Sequence, residues 1–595
     1  MRQLELSNIK ENESFDFALP GGIAKIEIVP KGEEVFVQID VEHMGIYGLG
    51  EKFDSINQLG KKCINEVREQ FCNQGEYTYC SIPFFMTDSG LGVLADTKKV
   101  SRYDFKDGIT LDIPADARLI LFSGTPVEIV KELNSYLGGE IDTPPRFAFL
   151  PWVSANHWKS EKDVRELQAN LKKYDFPAGV IVLEAWSDEA TFYIFNGAKY
   201  KERPDGSAFK YEDFDFSESK YWNNPKEMIK SLNEDGLHLV LWQIPVYKKM
   251  DVGETHLQNE LDAKFAIENK LCVFDDKGEA YRIPEGNWFA GSLIPDFTNK
   301  ETQKNWFDKR QYLLDIGVEG FKTDGGEFVH KDNLVFFNKD TGKEQKNAYS
   351  QTYVKAYKDF VGKDRILFSR AGYLGASATP FLWAGDHQST NDELKHAYYS
   401  AMSAANSGIR YWGFDIGGFA GPLPSKDLYL RSTQFACFCP IMQWHSEPDG
   451  GQFKELMPGA EGNNERSPWN MAKYYDDDGF IEEIRYWHKL RIVLLPYIYE
   501  QAEKSAKTGV PMMRPVFWSD LSNKELIKWE DEYFFGEEML VAPLLEENQK
   551  LRELYLPDGE WVGFFSKKIY KGNRTVNSES ERFPVFVKKG FILNM

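Results

Sequence analysis

Cysteine is scarce, with six in 595 residues. Cys437 and Cys439 stand too close for a Cys-x-x-Cys pair, and Cys63, Cys72 and Cys80 are scattered. Neither a zinc knuckle nor a disulfide framework is indicated, so the thiols are read as reduced. No apolar run reaches the roughly eighteen residues of a membrane-spanning helix, which speaks against membrane insertion. The amino terminus, Met1 to Leu6, lacks the basic segment, apolar stretch and cleavage site of a secretory leader, and a cytoplasmic location is expected from that. Positive charge is also short. Lys and Arg number 71 against 92 Asp and Glu, a net charge of -21, which disfavours nucleic acid and anionic membranes as partners. His-x-His and His-Glu-x-x-His pairs are missing, so metal-dependent hydrolysis is the weaker of the readings that acids invite. There is no internal repeat and no low-complexity tract.

What is present is a long chain rich in aromatic rings. Its length allows two to four units, and its 42% hydrophobic and 27% charged residues are those of a globular protein. Aromatic residues make up 15%, enough to fill a core and still lay flat faces against an apolar ligand surface such as a sugar. Residues 1–142 alternate apolar and polar positions in short segments, as in Ala24 to Ile28 and Glu34 to Ile39, and read as a β-sandwich. The glycines of Tyr47-Gly48-Leu49-Gly50-Glu51-Lys52-Phe53 mark a turn that leans on a neighbouring domain. Thr143-Pro144-Pro145 is a stiff junction.

Beyond it, strand-like and helix-like segments alternate. The strand-like runs are Phe149–Val153, Gly179–Glu184, Leu237–Trp242, Val318–Asp324, Arg365–Arg370, Pro380–Gly385, Gly408–Asp415 and Cys437–Trp444. Ser160, Asn224 and Asn299 open the first helices between them, and Gly236 and Gly317 close two of them. Eight such units predict a (β/α)8 TIM barrel over 143–508, with insertions near 248–295 and 327–347. A doubly wound open sheet is the alternative. Residues 509–595 return to short strands, a small C-terminal β-sandwich. The fold class is thus α/β, a barrel flanked by two β domains.

A barrel gathers the ends of its strands at one mouth, which here collects Glu184, Trp242, Asp324, Arg370, Asp386, Asp415 and His445. Several acids with one Arg, one His and Trp rings suit glycoside hydrolysis, which needs one carboxylate as nucleophile or base and one carboxylic acid to protonate the leaving oxygen. Strand alternation puts Lys322 and Asp324 on one face, with Phe321 and Thr323 on the other. A nearby cation favours an ionised Asp324 and therefore a nucleophile. Asp386 follows Trp383-Ala384-Gly385, an apolar setting that favours the protonated form and therefore the acid. A non-catalytic sugar-binding barrel is a further alternative. The expected partner is an oligosaccharide or glycoside. A homo-oligomer is left open.

These residues resemble glycoside hydrolase family 31 over nearly the whole chain. Tyr47 to Phe53 resembles the family's amino-terminal signature, Asp296-Phe297-Thr298-Asn299 the segment before the nucleophile strand, and Lys322-Thr323-Asp324-Gly325-Gly326-Glu327 the KTDFGE variant of the nucleophile motif. Trp383-Ala384-Gly385-Asp386 is similar to the acid/base motif, and Gly413 to Phe419 to another hallmark. The resemblance implies a retaining exo-acting α-glycosidase without a cofactor, acting on terminal α-linked sugars, α-glucoside or α-xyloside first and α-galactoside-type next. It makes Asp324 the nucleophile and Asp386 the acid/base. Arg370 and His445 would hold the hydroxyls of the terminal sugar, an Arg at a barrel rim serving equally as an ion-pair partner of Asp324 or Asp386, and Trp242 and Trp383 would wall the pocket. A transglycosylase using the same covalent intermediate is the runner-up. Two departures bear on substrate choice: Gly325 replaces the usual Phe, and Glu184 stands where an Asp is common.

Overall fold

A computed structural model describes residues 1–379, 381–448, 450–451, 462–579 and 581–593. Two antiparallel sheets open the chain. Five strands, Arg2–Glu5, Arg118–Ser123, Leu91–Asp96, Phe84–Thr87 and Ile46–Gly48 in that order, lie against six, Glu13–Leu19, Gly22–Lys31, Glu34–Asp40, Ile109–Pro114, Ser101–Asp104 and Lys62–Asn65. The alternating residues fill the space between them: Ile26, Ile28, Val37 and Ile39 from one sheet pack with Val93, Leu119 and Leu121 from the other. The all-β expectation for this region misses a helix, Pro126–Leu137, started by a Thr125/Glu128 capping box and buried through Ile129, Val130 and Leu133.

The eight parallel strands that follow are β1 (Pro151–Ser154), β2 (Val180–Leu183), β3 (His238–Gln243), β4 (Gly320–Thr323), β5 (Ile366–Ser369), β6 (Phe381–Trp383), β7 (Trp412–Gly413) and β8 (Met442–Trp444). They pair in the order 7-6-5-4-3-2-1-8. Between β7 and β8 the ring is joined by a parallel bridge from Asp415 to Gln443 and by the Ile416 N–H, which donates to the Gln443 carbonyl at 2.9 Å. The barrel of the sequence reading therefore holds, and the open sheet does not. Aromatic rings fill its interior: Trp152 meets Phe368 at 4.9 Å and Phe368 meets Trp383 at 4.8 Å between ring centres. Phe321 faces outward onto Tyr357 and Phe360 of helix Gly342–Val361, so strand alternation turns Lys322 and Asp324 inward.

Some expected boundaries shift. Pro380 lies outside the described residues. The run from Cys437 begins in the preceding helix, Lys426–Cys437, before β8. The helix expected from Asn299 through Leu314 is two, Lys300–Asp308 and Gln311–Asp315. It breaks where Lys309 and Arg310 turn inward, Lys309 to Asp262 at 2.6 Å and Arg310 to Gln243. Of the two long connections, the first holds helix Leu257–Glu268 and strand Phe274–Asp275, which pairs with Leu334–Val335 of the second. The second ends earlier than Asn347, because helix Gly342–Val361 has already begun. A third excursion, residues 185–224 after β2, went unrecognised in the sequence.

The carboxyl-terminal region forms a six-stranded antiparallel sheet and a two-stranded ladder around Leu540, Leu554, Trp561 and Phe586. Helix Gly479–Thr508 ties it to the barrel. Its Arg491 donates to the Phe149 carbonyl at 3.0 Å, and its Tyr497 hydroxyl to the Phe535 carbonyl at 2.8 Å.

Candidate active site

The mouth of the barrel is built from Trp242 near the end of β3 and from residues just past β2, β4, β5, β6, β7 and β8. Asp324 follows β4 and is 7% exposed. One carboxylate oxygen accepts from the Trp242 indole N–H at 2.8 Å; the other accepts from the Gly325 N–H at 2.8 Å and stands 3.1 Å from an Arg370 guanidinium nitrogen. That is the surrounding of an anion. The cation in contact with Asp324 is thus Arg370, where Lys322 was expected, and Lys322 acts on Asp324 only from beyond contact distance. Lys322 pairs instead with Glu184 and lies over the Trp383 ring at 4.5 Å. Burial works against the Lys322 ammonium, but Glu184, Asp415 and Asp324 outweigh it and hold it charged.

Glu184 also receives His445 at 2.9 Å. Burial alone would raise its carboxyl, yet His445 and Lys322 bring it down to about 2. Asp386, after β6, has the opposite environment. Burial first and the negative charge of Asp324 second push its carboxyl well above the usual carboxylate range, against the pull of Arg370 and Lys322. The mouth thus holds Asp324 among hydrogen-bond donors and a cation and Asp386 in a setting that favours its protonated form, which is the contrast that acid-assisted nucleophilic substitution requires.

Trp242, besides donating to Asp324, meets Phe192 edge-on at 5.5 Å. Trp383 is wholly buried, with the Lys322 ammonium over its ring. Asp415 is buried as well. One of its oxygens accepts from the Gln443 amide at 2.6 Å and the other has no hydrogen-bond partner. Arg370 is fully committed to acids, to Asp324, to Glu327 through two nitrogens at 3.0 and 3.3 Å, and to Glu69 at 3.5 Å. Among the described residues no three His, Cys, Asp or Glu side chains gather as a metal site would require.

Glu69 comes from the amino-terminal region, which reaches over the barrel mouth through residues 66–80. The Cys72 N–H donates to the Asp386 carbonyl at 3.1 Å, and the Tyr79 and Phe71 rings flank Arg370 at 4.6 and 5.4 Å. Trp288, at the tip of the first insertion, closes the other side of Arg370 at 5.2 Å and meets Phe71 edge-on at 5.5 Å. The sequence reading assigned no role to Glu69, Phe71, Tyr79, Trp288 or Glu327. Glu327 alone carried a signal, an acid just past a strand-end acid. Gly325 also finds its reason. Its φ is +66° and a Cβ there would lie 2.7 Å from the Phe328 ring, so Phe328 fills the space beside this position.

Eight parallel strands closed into a ring, an acid pair at the mouth and antiparallel sheets on both sides define a TIM-barrel protein with flanking β regions. The TIM-barrel domain of glycosyl hydrolases family 31 matches residues 141–501, the family's galactose mutarotase-like N-terminal domain matches 9–104, and its C-terminal domain matches 509–593. The chain belongs to glycoside hydrolase family 31. It is 35% identical over 584 residues to an isomaltosyltransferase of Sporosarcina globispora, covering 96% of this chain and 52% of that protein. It is 33% identical over 562 residues to a 1,3-alpha-isomaltosidase of Kribbella flavida, covering 91% and 76%. The structure of a cycloalternan-forming enzyme from Listeria monocytogenes, in complex with a pentasaccharide substrate, superposes with a TM-score of 0.88 at 32% identity, covering 98% of this chain and 59% of that one. The chain thus spans about half the length of the transferase.

Proposed function

We propose that the protein is a retaining exo-acting α-glycosidase that releases terminal non-reducing α-linked sugar from oligosaccharides. The observation that carries this reading is the contrast between Asp324, surrounded by donors, and Asp386, whose carboxyl is held protonated. In the first step an Asp324 oxygen bonds to the anomeric carbon while the bond from that carbon to the leaving oxygen breaks. The bonding pair stays on the leaving oxygen, which takes the Asp386 proton. In the second step Asp386, now a carboxylate, takes a proton from water as the water oxygen replaces Asp324 on the anomeric carbon. Two inversions leave the α configuration. Lys322, Glu184 and His445 form the polar floor that meets the hydroxyls of the sugar, and Trp242 supplies a flat wall.

Of the sugars that the motifs leave open, α-linked glucose is favoured. The relatives named above act, by their names, in isomaltosyl transfer and isomaltosidase chemistry. A panel of aryl α-glycosides (gluco, xylo, galacto) tests this: the gluco compound should turn over fastest. Asp324→Asn and Asp386→Asn should each lose on the order of a thousandfold in rate or more. Full activity in both variants would refute the assignment. A second reading, transfer to a sugar hydroxyl in place of water, is favoured by the 35% identity to a named transferase. Products formed at high acceptor concentration separate the two, since hydrolysis leaves free sugar only.

A further inference from the structure

Arg370 faces more negative charge than it can neutralise. Asp324 and Glu327 belong to the barrel, but Glu69 arrives from the amino-terminal region and stands 3.5 Å from the same guanidinium. The contact is enclosed. Phe71, Tyr79 and Trp288 surround Arg370, and the Trp288 backbone N–H is directed at the Glu69 carboxylate. Glu69 therefore sits where the amino-terminal segment, the insertion tip and the β5 end meet, one cation away from Asp324. It touches Arg370 and not the reacting atoms.

We infer that Glu69 is a positioning residue that shares Arg370 with Asp324, so that a carboxylate from outside the barrel sets how strongly the guanidinium acts on the acid pair. The inference rests on the assignment of Asp324 and Asp386 above. The physical chain is short. Arg370 opposes the protonation of Asp386, and an ionised Glu69 offsets part of the Arg370 charge. Burial raises the Glu69 carboxyl to about 7, against Arg370 and with Glu327 and Asp324 adding to the rise. Glu69 consequently changes charge near neutral pH. Arg370, Glu327 and Asp324 are the charged groups facing it, from β5 and from the turn after β4.

Glu69→Gln keeps the shape and removes the charge. With Arg370 undivided, Asp386 loses its proton more easily, so the basic limb of the kcat profile should move to lower pH by roughly half a unit to one unit. Glu69→Asp should restore the limb towards the wild-type position. A uniform fall in kcat with the limb unmoved would mean a structural role only and would overturn the inference. A second measurement does not depend on turnover. A carboxyl whose folded value lies above its unfolded value stabilises most at low pH, and that contribution is lost as pH rises through the folded value. The Tm of the wild type relative to Glu69→Gln should therefore fall between about pH 5 and 8. A constant difference would overturn the placement of Glu69. Should the wild type turn over no glycoside, the functional reading fails, and the Tm series alone decides whether Glu69 carries the charge assigned to it.

Discussion

Glu184 holds the charge balance of the barrel mouth together, because the Lys322 ammonium and the His445 ring meet on a buried carboxylate. Removing one partner leaves the others uncompensated, and breaking such a buried pair costs about 3–5 kcal/mol. Lys322→Met should therefore lower Tm clearly at neutral pH, and an unchanged Tm would contradict the pairing. The pH sign follows from Glu184. Its folded carboxyl is lowered to about 2, so its stabilisation is present above the ordinary carboxyl range and is lost as pH falls towards that value. The Tm difference between wild type and Lys322→Met should shrink in acid. At this scale the sequence was readable where strand alternation governs. Lys322 and Asp324 do share the inward face. Which cation serves which acid stayed open, with Arg370 readable as a partner of either Asp324 or Asp386, because Arg370 and Glu184 reach their partners from other strands and local spacing does not choose among them.

The two elements that shape the mouth from outside the strand ends are the first insertion and the amino-terminal segment at 66–80. Trp288 sits at the insertion tip between Phe71 and Arg370. Trp288→Ala should raise KM for an α-linked oligosaccharide more than for a small aryl glycoside, with kcat for the small substrate little changed; equal effects on both would place Trp288 away from the extended substrate. The turn after Asp324 gives a sharper case. Gly325→Phe, which restores the residue of the resembling motif, would meet both Phe328 and Ile244 at a positive φ. A loss of activity of about tenfold or more is expected from the displaced turn, and wild-type activity would show that the turn has room. The strand and helix beat of the barrel was legible because capping residues and buried runs repeat. The insertions were legible only as long gaps, and their pairing through Phe274–Asp275 and Leu334–Val335 was not.

On the scale of the whole molecule, the amino-terminal region is part of the site and not an appendage. Beyond Glu69, the Trp412 indole donates to buried Glu51 at 2.9 Å, the Gly50 N–H donates to Ser407 at 2.8 Å, and Asn65 donates to the Tyr373 hydroxyl at 2.9 Å. These links bear out the reading of the Tyr47 to Phe53 turn as one that leans on a neighbour. Sandwich and barrel should accordingly melt together in calorimetry, and a separate early transition for the sandwich would contradict the coupling. The central claim is the division of labour between Asp324 and Asp386. Its most direct test is mass spectrometry of the peptide carrying Asp324 after incubation with a fluorinated α-glucosyl fluoride that forms the covalent intermediate faster than it is released. The account predicts one sugar bonded to Asp324. Labelling of a different carboxylate, or turnover of the reagent with no protein adduct, would contradict it.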